Sequence, residues 1–221
     1  MEELGVNEYH KIQTVYLRDP ATKHKTLLEG QFAKPEFEYL KNNIWVFTEK
    51  VDGTNIRVQW DGDHVSFAGK TDHAETPKFL LDKLDELFTA EAFAMHKLPP
   101  LCLYGEGYGA KIQKGGGNYI PDGVSFILFD INIDGIWLER QNVEDIAQKL
   151  VIDSVPMIGE GTLLEGIERV KNGYDSRLRL TPPEGLVMRP KVELVNRRGE
   201  RVITKIKIND FEQEVRTDAC R

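Results

Sequence analysis

Cysteine is almost missing from this chain. Among 221 residues there are two, Cys102 in an apolar run and Cys220 beside the C-terminus. Two thiols so placed make neither a disulfide framework nor a zinc site. The five histidines are scattered and unpaired, so a histidine-based metal centre is not expected. No apolar run approaches the length of a membrane span, and the opening MEELGVNEYH is acidic and polar, unlike a signal peptide. These absences point to a cytoplasmic protein that engages no membrane. An excess of positive charge is lacking too: 29 Lys and Arg stand against 36 Asp and Glu, a net charge of -7. That sign excludes wholesale binding to a phosphate backbone and confines any nucleic-acid contact to local lysine-bearing stretches.

What is present is an ordinary globular composition, 40% hydrophobic and 29% charged, on a chain of a length suited to one large domain. We expect a single domain over residues 1–221 with no separate C-terminal domain. Alternating apolar and polar residues predict strands over 11–18, 56–60, 64–68 and 201–208, and the apolar run 124–133 predicts an interior strand. Helical spacing predicts helices over 35–40, 76–88 (capped by Thr76), 90–96, 141–150 and 163–171 (capped by Thr162). The stretch 110–123, rich in lysine and glycine, reads as a long loop of the kind that often carries function. Period two over 201–208 sets Lys205 and Lys207 on one face.

The stretch TEKVDGTN, Thr48 to Asn55, places Lys50 between two strand-like runs. An amine at a strand end suits attack on phosphorus, and Gly53 beside it would let a phosphate approach the backbone. By itself Lys-x-Asp-Gly also fits a surface hairpin with Asp-Gly in the turn. Three further pieces share the pattern of a charged group at a strand end or on an alternating strand: Glu106 in YGEG, Glu184 in EGLV, and Lys205 with Lys207 in TKIK. Singly, each has a plain structural reading, as a turn cap or a solvated strand face.

Together and in this order they resemble the covalent nucleotidyltransferase superfamily of polynucleotide ligases and capping enzymes. The strings EKVDGTN, LYGEGYG, FILFDI, EGLVMRP and ITKIKI look most like the phage RNA ligases that seal nicks in duplex RNA. The resemblance implies an α+β nucleotidyltransferase domain, with antiparallel sheets flanked by helices and an ATP cleft. It implies an ATP-dependent RNA ligase that joins 3′-hydroxyl and 5′-phosphate ends through a lysyl-AMP intermediate. Its cofactors would be ATP and Mg2+ (or Mn2+), and its partners RNA ends or a nicked duplex. On this resemblance Lys50 is the nucleophile, and Lys205 and Lys207 are catalytic cations on the α-phosphate. Glu106 takes the ribose hydroxyls, Phe129 stacks on adenine, and Glu184 faces the metal and phosphates. Glu49 lies near the adenine edge and Asn55 near the reacting phosphate. One position departs from the pattern: Lys70 stands where this class usually has arginine, keeping the charge without the bidentate fork. A minimal DNA ligase, or a strand-end-binding protein that seals nothing, shares parts of the same pattern.

Overall fold

The computed structural model describes residues 8–179 and 181–211, so Cys220 and Leu180 lie outside the described residues. In chain order the elements are β1 (Gln13–Thr14), β2 (Tyr16–Arg18), β3 (Leu27–Phe32), α1 (Pro35–Tyr39) and β4 (Trp45–Glu49). Next come β5 (Thr54–Trp60), β6 (Val65–Ala68), α2 (Lys78–Leu87), α3 (Ala90–Met95) and β7 (Leu101–Gly109). They are followed by β8 (Val124–Ile133), β9 (Ile136–Trp137), α4 (Arg140–Lys149) and β10 (Asp153–Ser154). The last are β11 (Met157–Gly161), α5 (Leu163–Asn172), β12 (Gly185–Pro190) and β13 (Thr204–Lys207).

These elements divide into two compact units. One, here the Lys50 unit, combines Lys11–Val51 with the chain from Pro156 onward. The other, the Phe129 unit, is Asp52–Val155 together with the segment ending at His10. Both are α+β, with mostly antiparallel sheets and helices packed on them.

The Lys50 unit holds a five-stranded sheet in the order β1-β13-β12-β4-β11, and a separate β2-β3 pair. Strand β4 is interior, antiparallel to both β12 and β11, and all five of its residues are buried. Burial on both faces explains why its sequence, WVFTE, is not a clean alternation. Trp45, Phe47, Leu186, Met188 and Ile206 form a core with Leu163, Ile167 and Val170 of α5. Each such side chain contributes about 1.5–3 kcal/mol of transfer free energy. Helix α5 opens on Thr162 as expected: its hydroxyl accepts from the Glu165 N–H at 3.3 Å, and the Glu165 carboxylate accepts from the Thr162 N–H at 2.7 Å.

The Phe129 unit is built on a sheet in the order β10-β8-β7-β5-β6, with β9 also pairing β8. Ile56, Val58, Leu103, Phe126 and Leu128 point to one face, where they pack with Leu80 and Leu84 of α2. Between β7 and β8 the register shifts, so that Tyr104 pairs with Asp130 while Gly105 pairs with Leu128. Phe129 is the extra residue of this bulge. A bulge re-aims a side chain, and Phe129 is half-buried and outside the core cluster.

Several local expectations need correction. Lys50 is not in a hairpin, because β4 and β5 belong to different sheets. The strand expected over 11–18 is interrupted at fully buried Val15, whose N–H donates to Lys205 O (3.1 Å) and whose carbonyl accepts from Ala33 N (2.9 Å). Thr76 caps nothing: α2 follows Pro77, with no side-chain cap. The last strand is shorter than 201–208, since Arg201, Val202 and Ile203 are all buried and alternation starts only at Thr204.

Candidate active site

Within the Lys50 unit, three adjacent strands bring charged groups to neighbouring ends. Register pairs Gly185 with Lys207 and Leu186 with Glu49, so Glu184, just before β12, falls beside Lys50 and Lys207. The Lys50 N–H donates to Gly185 O at 2.8 Å, and the same carbonyl accepts from the Tyr174 hydroxyl at 2.6 Å. That fixes the backbone beneath the lysine. Lys50 Nζ lies 2.7 Å from Glu184 Oε2 and 3.3 Å from Val51 O, and Lys207 Nζ lies 2.6 Å from Glu184 Oε1. One carboxylate is therefore shared by two ammonium groups. Its side chain is 13% exposed, against 19% for Lys50 and 38% for Lys207, so these pairs are less screened than surface ion pairs. Lys205 is half-buried on the same face as Lys207, opposite fully buried Thr204 and Ile206. The Lys207 N–H is held by Asp210 at 3.0 Å, and Asp210 is held by Arg18 at 2.6 Å.

Glu49 is buried, and both of its oxygens are engaged. One accepts from the Ser176 hydroxyl and the other from the Arg177 N–H at 2.8 Å. Ser176 Oγ in turn accepts from the N–H groups of Leu178 and Arg179, each at 3.0 Å. Glu49 thus organises the turn over 176–179, a role that no local sequence signal announces.

Within the Phe129 unit, the face of the sheet opposite the core carries Asn55 and Glu106 as direct cross-strand partners, with Ile127 paired beyond Glu106. Asn55 Oδ1 is buried without a hydrogen-bond partner among the described residues. Tyr9 packs edge-on against Phe129, with ring centroids 5.0 Å apart, and its hydroxyl donates to Asp130 Oδ2 at 2.5 Å. The ring of Tyr104 lies 5.2 Å from Tyr9 and 5.1 Å from Trp137. This aromatic group fixes one side of Phe129, and Tyr9 was hidden in the polar start of the sequence. Burial raises the Tyr104 phenol above its ordinary value and pushes the neighbouring Cys102 thiol up to about 12.

Gly53 has a packing reason that its sequence does not show. A β-carbon there would collide with Gly107 O and lie 2.8 Å from Glu106 Cγ. Glycine is thus required by close approach of the chain to β7. Gly107 is constrained likewise, because a β-carbon would lie 2.6 Å from Leu80 Cδ2. Lys70 is exposed, on the segment after β6. Lys111 and Lys114 lie on the connection between β7 and β8, which Gln113 ties down by donating to Gly53 O at 3.0 Å.

In this α+β arrangement a lysine leaves an interior strand, a carboxylate precedes the neighbouring strand, and a second lysine lies on the strand beyond that one. A family model described as RNA ligase matches residues 43–207, and the chain belongs to that family. Solved structures of an RNA ligase from Naegleria gruberi are similar. One with PPi superposes with a TM-score of 0.68 at 18% identity, covering 98% of this chain and 60% of that one. A variant with ATP and Mn gives 0.69 at 19% identity, covering 97% and 59%. A variant without ligand gives 0.64 at 21% identity, covering 83% and 54%. The chain therefore spans between half and three fifths of the length of the ligase it resembles. Comparison with curated protein sequences gives no match.

Proposed function

We propose that the chain is an ATP-dependent RNA ligase that works as one adenylyltransferase domain. Lys50 takes AMP from ATP and passes it to a 5′-phosphate, and a 3′-hydroxyl then displaces AMP to form the phosphodiester. The observation that supports this reading is the Glu184 carboxylate shared by Lys50 and Lys207. It holds an amine nucleophile beside a cation suited to phosphate.

In the ion pair Lys50 is an ammonium without a free lone pair, so attack requires it to leave Glu184 and lose a proton. The amine then bonds to the α-phosphorus as the bond to the bridging oxygen breaks, and pyrophosphate departs. Lys205 and Lys207 are assigned to the charge that develops on the phosphates. Glu106 is assigned to the ribose hydroxyls, Phe129 to the adenine face, and Asn55 to the reacting phosphate during sealing. Lys70 is assigned to ATP, and Glu49 to the adenine side together with the turn it organises.

Glu184 is assigned to a divalent cation, Mg2+ or Mn2+. No group of three or more His, Cys, Asp or Glu side chains among the described residues is placed to cage a metal. A single carboxylate suits magnesium, which keeps several waters and takes its other ligands from substrate phosphates. Bound there, the ion would neutralise phosphate charge. Substrates are RNA ends or a nicked duplex. No helix among the described residues is long and apolar enough to cross a membrane, and the proposed compartment is the cytoplasm.

The test is incubation of the pure protein with labelled ATP and magnesium, followed by intact-mass measurement. One AMP should be gained by the parental chain and none by Lys50→Ala. Gain of AMP by the Ala variant would reassign the nucleophile, and no gain by the parental chain would remove the ligase reading.

A further inference from the structure

Arg57 belongs to none of the motifs above, yet its side chain is fully buried. Alternation along β5 sends Ile56, Val58 and Trp60 into the core and Arg57 to the opposite face, which it shares with Asn55. Its cross-strand partners are Ala68 and Tyr104. A guanidinium stays charged in proteins, so its burial is costly unless its donors are met. Two of them go to one short segment: Nε donates to Gly69 O at 2.9 Å and Nη2 to Asp72 Oδ1 at 2.6 Å. Nη1 is buried with no hydrogen-bond partner among the described residues.

Lys70 and Thr71 are the residues between those two anchors. The segment also folds tightly on itself. Ala74 N donates to Thr71 O at 3.1 Å, and a β-carbon on buried Gly69 would lie 2.7 Å from Ala74 Cβ. Lys70 itself projects as an exposed residue. A lysine has one point charge on a flexible four-carbon stem and no planar fork to orient it. Where such a group must meet a phosphate in one geometry, the backbone beneath it has to be fixed.

Resting on the assignment of Lys70 to ATP, we infer that Arg57 is a positioning residue that clamps both ends of the 69–72 segment and so presents Lys70 to the nucleotide. Asp72 is the part of the clamp open to mutation. Its side chain is 72% exposed, so removing it leaves no cavity and frees one anchor, although it takes a partner from the buried Arg57 guanidinium.

The experiment combines Asp72→Ala and Lys70→Ala, singly and together, with two readouts. Hydrogen exchange over residues 69–74, without nucleotide, reports the clamp directly. The ATP dependence of adenylylation in a single turnover reports Lys70. Asp72→Ala should speed exchange over 69–74 more than over the core strands β5 and β7, with some loss of melting temperature because the buried Arg57 charge keeps one partner fewer. It should raise the half-saturating ATP concentration by at least about twofold, the low end of coupling within one network, and change the limiting rate less. In the Lys70→Ala background the same substitution should no longer alter ATP dependence, and Asp72→Glu should restore much of the parental behaviour. Unchanged exchange in Asp72→Ala overturns the clamp whatever the activity. Equal effects in both backgrounds, or parental ATP dependence in Lys70→Ala, overturn the link to Lys70. Absence of AMP uptake by the parental chain overturns the ligase reading instead, and the exchange result still decides the clamp.

Discussion

Glu184 holds Lys50 through one oxygen at 2.7 Å and Lys207 through the other at 2.6 Å. Removing Lys50 therefore leaves the carboxylate paired, whereas removing Glu184 leaves two lysines without it. Lys50→Ala should change stability little, because Glu184 keeps Lys207 as a partner. Glu184→Ala should lower the melting temperature more and also slow adenylylation. Thermal melts of the two variants decide this, and equal melting temperatures would show that the shared carboxylate adds nothing to the fold.

Lys205→Ala and Lys207→Ala should each slow AMP uptake by roughly 10²–10³, the factor typical of losing one transition-state donor. Both residues are half-buried on one face of β13, with their strand neighbours in the core. Single-turnover rates at saturating ATP are the measurement. Parental rates in both variants would mean that this face meets no reacting phosphate.

Gly53→Ala should be more damaging than an exposed glycine substitution. The added methyl has no space between Gly107 O and Glu106 Cγ. The overpacking should cost about 1–3 kcal/mol, and it should displace Glu106. Denaturant melts and ATP titrations should change together. A stable variant with parental ATP affinity would show that β7 yields easily.

The Cys102 thiol should be inert in the folded chain. Burial holds it protonated up to about 12, against an ordinary value of 9.0. Above pH 9 the unfolded chain releases this proton first, so the folded state binds more protons and stability falls as pH rises toward 12. In a Cys220→Ser background, a thiol reagent at pH 8 should react only on unfolding. Rapid reaction under native conditions would contradict the burial.

Sealing should require RNA on the 3′-hydroxyl side of a nick and tolerate DNA on the 5′-phosphate side. A protein distinguishes the sugars by the 2′-hydroxyl or by the A-form shape it imposes. With a net charge of -7, backbone contacts should be few and turnover should fall steeply with salt. Nicked duplexes differing only in the flanking sugars, run at one low salt concentration, test this. Equal sealing of an all-DNA 3′-hydroxyl strand would favour a minimal DNA ligase.

The charged groups at strand ends were legible because each sits in a short local string. Lys50, Glu184 and Lys207 needed only strand ends and an order, and the fold brings those three together. Strand pairing was not legible. Nothing local in TEKVDGTN tells that β4 pairs with β12, 139 residues away at Thr48 and Val187. Gly53 of KVDG read as a phosphate or turn glycine, and its close approach to β7 was not legible; nor was the packing of Gly105 on Phe126 of β8 or of Gly107 on Leu80 of α2. Short, polar strands such as β10 and β11 carry too little pattern to stand out. Arg57 was visible only as the polar member of an alternation, where it looked like a solvated residue. Its burial depends on Gly69 and Asp72 across the strand pair.

The two-segment make-up of the Lys50 unit sets an order of events during synthesis. A chain made from its N-terminus has every residue of the Phe129 unit once Val155 has emerged. At that moment β4 is present, yet both strands that flank it, β11 and β12, are still to come. Lys50 then has neither the Gly185 carbonyl nor the Glu184 carboxylate. The surroundings of Lys50 are thus assembled last, and a chain interrupted midway carries the lysine without the groups that hold it.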